Sequence, residues 1–374
     1  MLNLDNIKIE IREIDISKMV TGVTIYESVF GMLKGAISIK DGINFFDNFI
    51  GTELADVSFT FEYLGNTYGC GFYMDGISNM KIAKQQKNYI IHLKSIYTPV
   101  FAETINNTFT GRSDQIINKI FTDISAEESV LHIDTITDTK GRYIAPNIAA
   151  RESLYTLVNN AYDIKKTGMF LYQRFFDNNA CRLTSLGDML ESSFVDENNQ
   201  PVSIKQAVIN QATMGARATL GTADKYELKE YNMDFIQKLE DGVWGEAVNT
   251  INLDETTRKA NITKEATSIP KTKFKLSDKL YTNNVKSIFS SRGDVAVSSI
   301  QNHKFRVFNT IMEVNQMVAL PNLGAGMCIN VSLGGGNQSS SKQDGKYLVK
   351  HIQHNFTIDG GDYMYTQDLG LARE

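Results

Sequence analysis

Cysteine is scarce in this chain. There are three in 374 residues (Cys70, Cys181 and Cys328), far apart and without the paired spacing of a metal site. So odd and sparse a set argues against a disulfide framework and suits free, buried thiols in a reducing compartment. Histidine is nearly as rare, at five. No Cys or acid cluster accompanies these histidines and no nucleophile elbow is recognisable, so neither Ser-His-Asp nor Cys-His chemistry can be placed. An excess of positive charge is missing as well: 38 Lys plus Arg stand against 43 Asp plus Glu, a formal net charge of −5. That balance is wrong for a protein that grips nucleic acid through its phosphates. No apolar run approaches the length that spans a bilayer. The opening Met1-Leu2-Asn3-Leu4-Asp5 lacks the basic-then-apolar pattern of a secretory leader. The expectation is a chain made and assembled in a cytoplasm, without membrane insertion.

What is present is globular and β-rich. Hydrophobic residues make up 42% and charged residues 22%, as in folded domains. The 16 Tyr and 20 Phe favour strands, and the length calls for two or three domains. From Ile7 to about Tyr97 nearly every run alternates: 20–26, 35–40, 54–63 and 67–74, with 89–95 closing the set. Val57, Phe59, Phe61 and Tyr63 share one face, and Gly65-Asn66 reads as the following turn. Five or six such strands suggest a small barrel or curled sheet.

The period changes near Ser113, which can cap a helix with apolar positions Ile116, Ile117, Ile120 and Phe121. A second helix is predicted over 149–162, with Leu154, Leu157, Val158 and Ala161 as its core stripe. Residues 169–176 and 181–186 read as a hairpin across Asp177-Asn178-Asn179, and a short helix follows at 186–191. Together these make an α+β unit. A polar boundary comes at 196–201, and 225–230 reads as a strand. The segment 237–278 is polar with little periodicity and reads as a large loop or small subdomain, with Trp244 as a possible pin. A helix is predicted at 285–289, resuming past Gly293 to Ile300. Strands return from Lys304 to the end.

The last part of the chain is the most telling. A Pro/Gly turn at Leu320-Pro321-Asn322-Leu323-Gly324-Ala325-Gly326 feeds the strand Met327-Cys328-Ile329-Asn330-Val331. After a Gly/Ser-rich loop come Gly345-Lys346-Tyr347-Leu348-Val349-Lys350-His351-Ile352, the turn Asp359-Gly360-Gly361-Asp362, and Tyr363 to Arg373. This order resembles the end of the tube domain in baseplate central hub proteins of contractile-tailed bacteriophages, and in related late-control and type VI spike proteins. Further similar stretches are Phe49-Ile50-Gly51-Thr52-Glu53 to Tyr68-Gly69-Cys70-Gly71-Phe72-Tyr73, Ile144-Ala145-Pro146-Asn147 before Glu152-Ser153-Leu154-Tyr155, and Gly168 to Tyr172 before Leu183 to Leu186. The likeness covers most of the chain and is weakest across 237–300.

The resemblance implies a β-rich α+β multidomain fold. Two tube-like β-barrel domains stand in tandem, with an α+β insert between them and a smaller insert in the second. The boundaries are 1–100 for the first tube-like domain, 101–200 for the insert, 201–236 with 301–374 for the second tube-like domain, and 237–300 for a polar insert or small subdomain. It further implies a homotrimer forming a pseudo-sixfold ring. The partners would be a trimeric central spike protein and the tail tube or tube-initiator protein, with the tape measure and baseplate wedge proteins as further neighbours. DNA would pass through without specific binding, and the location would be the virion baseplate. Because the sequence ends at Glu374 without the additional fold or β-helix of type VI spikes, a separate spike protein is expected. The hub of an injection system or tailocin is the nearest alternative. A tail-associated cell-wall hydrolase is the alternative from another class.

Five sets of residues invite a chemical reading, and each has a plainer one. His351 and His354, three apart on a strand, face opposite sides and cannot share a metal. Gly334-Gly335-Gly336 with Gly345-Lys346 lacks the Ser or Thr and the helix of a phosphate loop. Arg292-Gly293-Asp294 is an adhesive tripeptide only in a secretory context, and otherwise a turn. Asp359 and Asp362 are what a hairpin turn demands. The Leu154/Leu157/Val158/Ala161 stripe is core. No catalytic, cofactor-binding or metal residue is assigned, and no cofactor.

Overall fold

The computed structural model describes residues 4–373 apart from 46–54, 84–85, 125–130, 166, 179, 197, 207–220, 224, 231–245, 254–259, 267–285, 291–309, 333–343 and 360–361. The alternating runs of the first hundred residues become β1 (Leu4–Ile11), β2 (Ile14–Asp15), β3 (Val20–Ser28), β4 (Lys34–Asp41), β5 (Asp56–Tyr63), β6 (Asn66–Ala83) and β7 (Gln86–Ser95). They lie in the order β3-β4-β7-β6-β5-β1-β2, every pair antiparallel. On β5, Val57, Phe59, Phe61 and Tyr63 all point inward and are buried, because successive side chains of a strand alternate between its faces. The turn after β5 is Leu64-Gly65 rather than Gly65-Asn66, since Tyr63 pairs directly with Asn66. Both turn residues have positive φ (52° and 80°), the twist that a two-residue hairpin needs. β6 runs well beyond the expected 67–74. Its ladder with β7 continues past one register shift at Asp75 and another between Ser78 and Lys81, and bulges of this kind bend a strand without ending it.

The middle of the chain holds α1 (Tyr97–Val100), β8 (Thr104–Arg112), α2 (Ser113–Ile124), β9 (Leu131–Ile133), β10 (Lys140–Ala149), α3 (Ala150–Asn159), β11 (Met169–Gln173), β12 (Cys181–Ser185) and α4 (Leu186–Glu191). Ile116, Ile117, Ile120 and Phe121 of α2 share one buried core with Leu154, Leu157 and Val158 of α3. α3 stops earlier than predicted. The Asn160 side chain donates to the Thr156 carbonyl (2.8 Å), and the residue leaves helical geometry. The β11–β12 hairpin matches expectation, Met169 facing Ser185 and Gln173 facing Cys181. The β8–β10 ladder does not: it is largely solvent-exposed, with Phe109 and Ala145 its buried apolar side chains, so no period-2 apolar signal marks it.

The remainder comprises β13 (Ser203–Gln206), β14 (Thr222–Ala223), β15 (Lys225–Glu230), β16 (Glu246–Leu253), β17 (Ala260–Ala266), β18 (Lys286–Ser290), β19 (Thr310–Val318), β20 (Cys328–Ser332), β21 (Gly345–Asp359) and β22 (Asp362–Arg373). The helix predicted at 285–289 is instead β18, which pairs parallel with β16. A short apolar run such as Ile288-Phe289 does not by period alone separate helix from strand, and an available partner decides it. β16, β17 and β18 form a small separate sheet where the sequence read as polar loop or subdomain. Trp244 and the continuation through Gly293 to Ile300 lie outside the described residues.

The C-terminal strands take the order β15-β19-β22-β21-β20, all antiparallel. That is the order β3-β4-β7-β6-β5 read with each strand replaced by its counterpart in chain sequence. The two five-strand units are also continuous. β21 pairs with β20 through Gly345 to Leu348 and with β3 through His351 to Thr357, both along the edge away from β22. One 14-stranded sheet results. Barrel closure is the one part of the expected fold class that the described ladders do not show. A strand has two edges, and those of β3 are taken by β4 and β21, leaving none to meet β1 or β2. Among the described residues no ladder closes either unit on itself.

Candidate functional site: a buried three-way junction

The two sheet units and the α+β unit meet around β3, the end of β11 and the turn between β19 and β20. Inward positions of β3 fall at Val23, Ile25 and Glu27, so the strand's own alternation drives a carboxylate into the interior, where it is fully buried. Removing a carboxylate from water costs several kcal/mol, roughly, unless donors replace the water. Three do. The Phe175 amide donates to Oε2 (2.9 Å), the Ala325 amide donates to Oε1, and His354 Nε2 lies 3.3 Å from Oε2. Glu27 thereby ties the first unit to the segment after β11, to the turn and to β21. His354 is held in turn by Tyr365, whose hydroxyl lies 2.7 Å from Nδ1.

Further buried polar side chains complete the lock. Gln173 Oε1 accepts from Ser95 Oγ (2.6 Å) and from the Leu33 amide (3.3 Å). Arg174 Nε donates to the Ala325 carbonyl (2.9 Å) and Nη2 to the Tyr172 hydroxyl (3.1 Å). Gln367 spans the backbone of Leu320, accepting from its N–H (2.9 Å) and donating to its carbonyl (3.2 Å). The Tyr63 hydroxyl donates to Ala319 (2.9 Å). Gly324 and Gly326 let the turn lie this close. A Cβ on Gly324 would stand 2.8 Å from Arg174 Cδ, and one on Gly326, where φ is +80°, would overlap the Tyr172 hydroxyl. Phe175 extends the junction into apolar packing, its ring stacked on Phe61 at 5.7 Å and 5° within the first unit's core. Glu27, Gln173, His354 and Gln367 have no solvent exposure. An acid, an imidazole and a phenol in contact can relay protons, but all three are buried from solvent. Their chemistry here is to hold three bodies in one register.

No protein-family model matches the sequence, and no curated protein matches it. Solved structures do. The tail protein of Neisseria meningitidis MC58 superposes with a TM-score of 0.61 at 9% identity, covering 99% of this chain and 97% of that one. The 43 kDa tail protein of prophage MuSo2 from Shewanella oneidensis gives 0.59 at 10% identity, covering 99% and 98%. The fold is that of phage tail proteins. A chain of the Francisella PdpA-VgrG complex is also similar, with a TM-score of 0.50 at 9% identity over all of this chain and 59% of that one.

Within this tail-protein fold, the residues that invited chemistry are dispersed. His351 and His354 diverge: His354 enters the junction, whereas His351 packs against the Tyr26 ring (5.6 Å between centroids) and over Gly370. Burial, with Lys350 nearby, lowers the pKa of His351. Asp359 and Asp362 pair across the tip of β21–β22, as a hairpin turn requires. Gly345-Lys346 opens β21, the Lys346 ammonium donating to the Leu190 carbonyl (2.8 Å). Gly334 to Gly336 and Arg292-Gly293-Asp294 lie outside the described residues. Leu154, Leu157, Val158 and Ala161 are core. The three thiols are free and buried, which pushes the pKa of each upward. Among the described residues no three His, Cys, Asp or Glu side chains gather as metal ligands, and no helix is long and apolar enough to cross a membrane.

Among the described residues there is also a cleft of about 910 Å³ between the β3–β4 connection, α3 and β11. Phe30, Met32, Tyr155 and Phe170 line it together with Lys34, Lys94 and Arg151. Its lining holds no carboxylate, histidine or cysteine. The junction residues escaped sequence reasoning, yet a signal existed. Glu27, His354 and Gln367 are polar residues at inward positions of otherwise apolar alternations (Val23-Ile25-Glu27, Ile352-His354-Phe356, Tyr365-Gln367-Leu369).

Proposed function

We propose that this chain is the central hub of a contractile-tail baseplate, a structural component rather than an enzyme. Three copies form a ring of six similar sheet units, matching the hexameric tail tube on one side and a trimeric central spike on the other. The tape measure and wedge proteins are its further neighbours. The ring bounds the channel through which DNA leaves the virion. One observation carries this reading: each chain presents two five-strand units of identical strand order, side by side in one continuous sheet. Two equivalent units per chain is what a threefold object needs to meet a sixfold one. The tail-protein likeness over nearly the whole chain adds support, and the junction suits the role, because a load-transmitting part must keep its units in fixed register.

Mass photometry of the chain alone and with its co-encoded spike should find a trimer. Cryo-EM views down the axis should show six lobes around a channel. A monomer under both conditions, or a ring without six similar lobes, would overturn the proposal. The likeness to a chain of the PdpA-VgrG complex favours a second machine for the same part, an injection system or tailocin. Capsid and terminase genes beside this one would decide for a phage. Peptidoglycan clearing by the purified protein in a zymogram would point instead to a hydrolase.

A further inference from the structure

The cleft beside α3 carries cations where their own elements do not favour them. Lys34 of β4 and Lys94 of β7 both line it, and they are direct cross-strand partners. Like charges set opposite one another on antiparallel strands are destabilising. Asp75 relieves Lys94, its carboxylate 2.7 Å from the ammonium, but the two side chains are 42% and 43% exposed and water weakens such a pair. On the α3 side, Arg151 is the second residue of the helix. A cation in the first turn opposes the macrodipole, which favours an anion there, as at the neighbouring Glu152. Among the described residues neither Lys34 nor Arg151 meets a carboxylate. Residues that conflict with their own element in this way are expected at functional sites.

Between these cations the walls are apolar, formed by Val29, Met32, Leu154, Val158 and Phe170. Two aromatic rings of the lining stand open to solvent, Phe30 at 57% and Tyr155 at 71% exposure. Phe30 meets Phe170 edge to face (5.9 Å between centroids), and Lys350 Nζ adds a further cation 5.8 Å from the centre of the Phe30 ring. Exposed aromatics grouped with cations mark a surface that binds something. A volume of about 910 Å³ lies near the top of the range of ligand pockets, roughly 300–1,000 Å³.

We propose that this cleft docks an acidic segment of another tail protein. Aromatic or aliphatic side chains of that segment fill the space between Phe30 and Tyr155, and its carboxylates meet Lys34 and Lys94 on one side and Arg151 on the other. This gives the baseplate reading above one partner of defined chemistry and rests on that reading. Charge complementarity selects the occupant. A nucleic acid would bring phosphates but leave the apolar walls unused. A fatty acyl anion would fill the walls, but its single headgroup would answer the cations on one side only. A peptide alternating acids with apolar side chains answers both sides and the walls together.

The test probes the full-length chain with short overlapping peptides that tile the tail proteins encoded beside it and the chain itself, followed by fluorescence polarisation on the segments that bind. Segments combining acidic with aromatic or aliphatic residues should bind, and more weakly as salt is raised. Arg151→Glu and Tyr155→Ser should each weaken binding at least about tenfold, whereas Arg151→Lys should retain most of it. Both positions are exposed, and a glutamate in the first turn suits the helix, so loss of binding in Arg151→Glu is not loss of folding. Circular dichroism of each variant checks this. The docking proposal is overturned if no segment binds, if Arg151→Glu binds as the parent does, or if decanoate binds the cleft and no peptide does. Binding by segments of this chain alone would assign the cleft to a second copy and overturn it too. None of these results touches the ring, which mass photometry tests separately; a monomer that binds the peptides would overturn the ring alone.

Discussion

Truncating Glu27 should open the junction from the inside. In the Glu27→Ala chain, the amides of Phe175 and Ala325 lose their acceptor, and His354 loses one of its partners, all in the dry interior. Each orphaned donor costs about 1–3 kcal/mol, so the two amides alone should cost roughly 2–6 kcal/mol. Glu27→Gln keeps the shape and one carbonyl oxygen but turns an NH₂ toward the other amide, so about half of that penalty is expected. A chain with several cores need not unfold in one step, which makes a global midpoint a poor readout. Hydrogen exchange at the two amides is the direct assay. A local loss of about 1–3 kcal/mol corresponds to exchange roughly 5–150 times faster. Protection should fall at Phe175 and Ala325 together while the α2–α3 core stays unchanged. If Glu27→Ala left both amides as protected as in the parent chain, Glu27 would not be what holds the three bodies together.

Other perturbations follow from single contacts. Asp114 is pushed upward by burial but held net below its ordinary value of 3.8 by hydrogen bonds from Arg112 and Thr137 and by the Arg112 charge. A depressed carboxylate contributes stability that is complete above pH 3.8 and is lost as pH falls through its lower folded-state pKa. An acid titration of the helical circular dichroism signal should therefore lose an acid-limb component in Asp114→Asn, and an unchanged limb would refute the assignment. Gly370→Ala should cost about 1–3 kcal/mol by driving a Cβ into the His351 ring. His351→Ala in the same chain should recover most of that loss in thermal melts, and no recovery would exclude the clash. In the proposed ring the channel wall should be neutral to acidic, given the net charge of −5. Filter binding should thus find no tight, steeply salt-dependent DNA affinity.

Local periodicity is what the amino-acid sequence determined by itself. Apolar residues two apart oblige a strand to bury one face, which is why β3, β5, β7 and the β21–β22 hairpin lie where the alternation puts them. The stripe Ile116, Ile117, Ile120 and Phe121 similarly fixes the buried face of α2. The polar ladder of β8 and β10 and the strand nature of Lys286–Ser290 were not legible, because in both a partner rather than a buried face defines the strand. Side-chain pattern also carries no information about edges. A backbone N–H and C=O look alike on both sides of a strand, so no residue in β3 announces that its outer edge belongs to β21 rather than to a closing barrel strand. Only the tertiary structure decided that, and with it the joining of two units into one sheet. The same holds for Glu27. Its alternation places it inside, but the donors that make burial tolerable come from Phe175, Ala325 and His354, as many as 327 residues away in the chain.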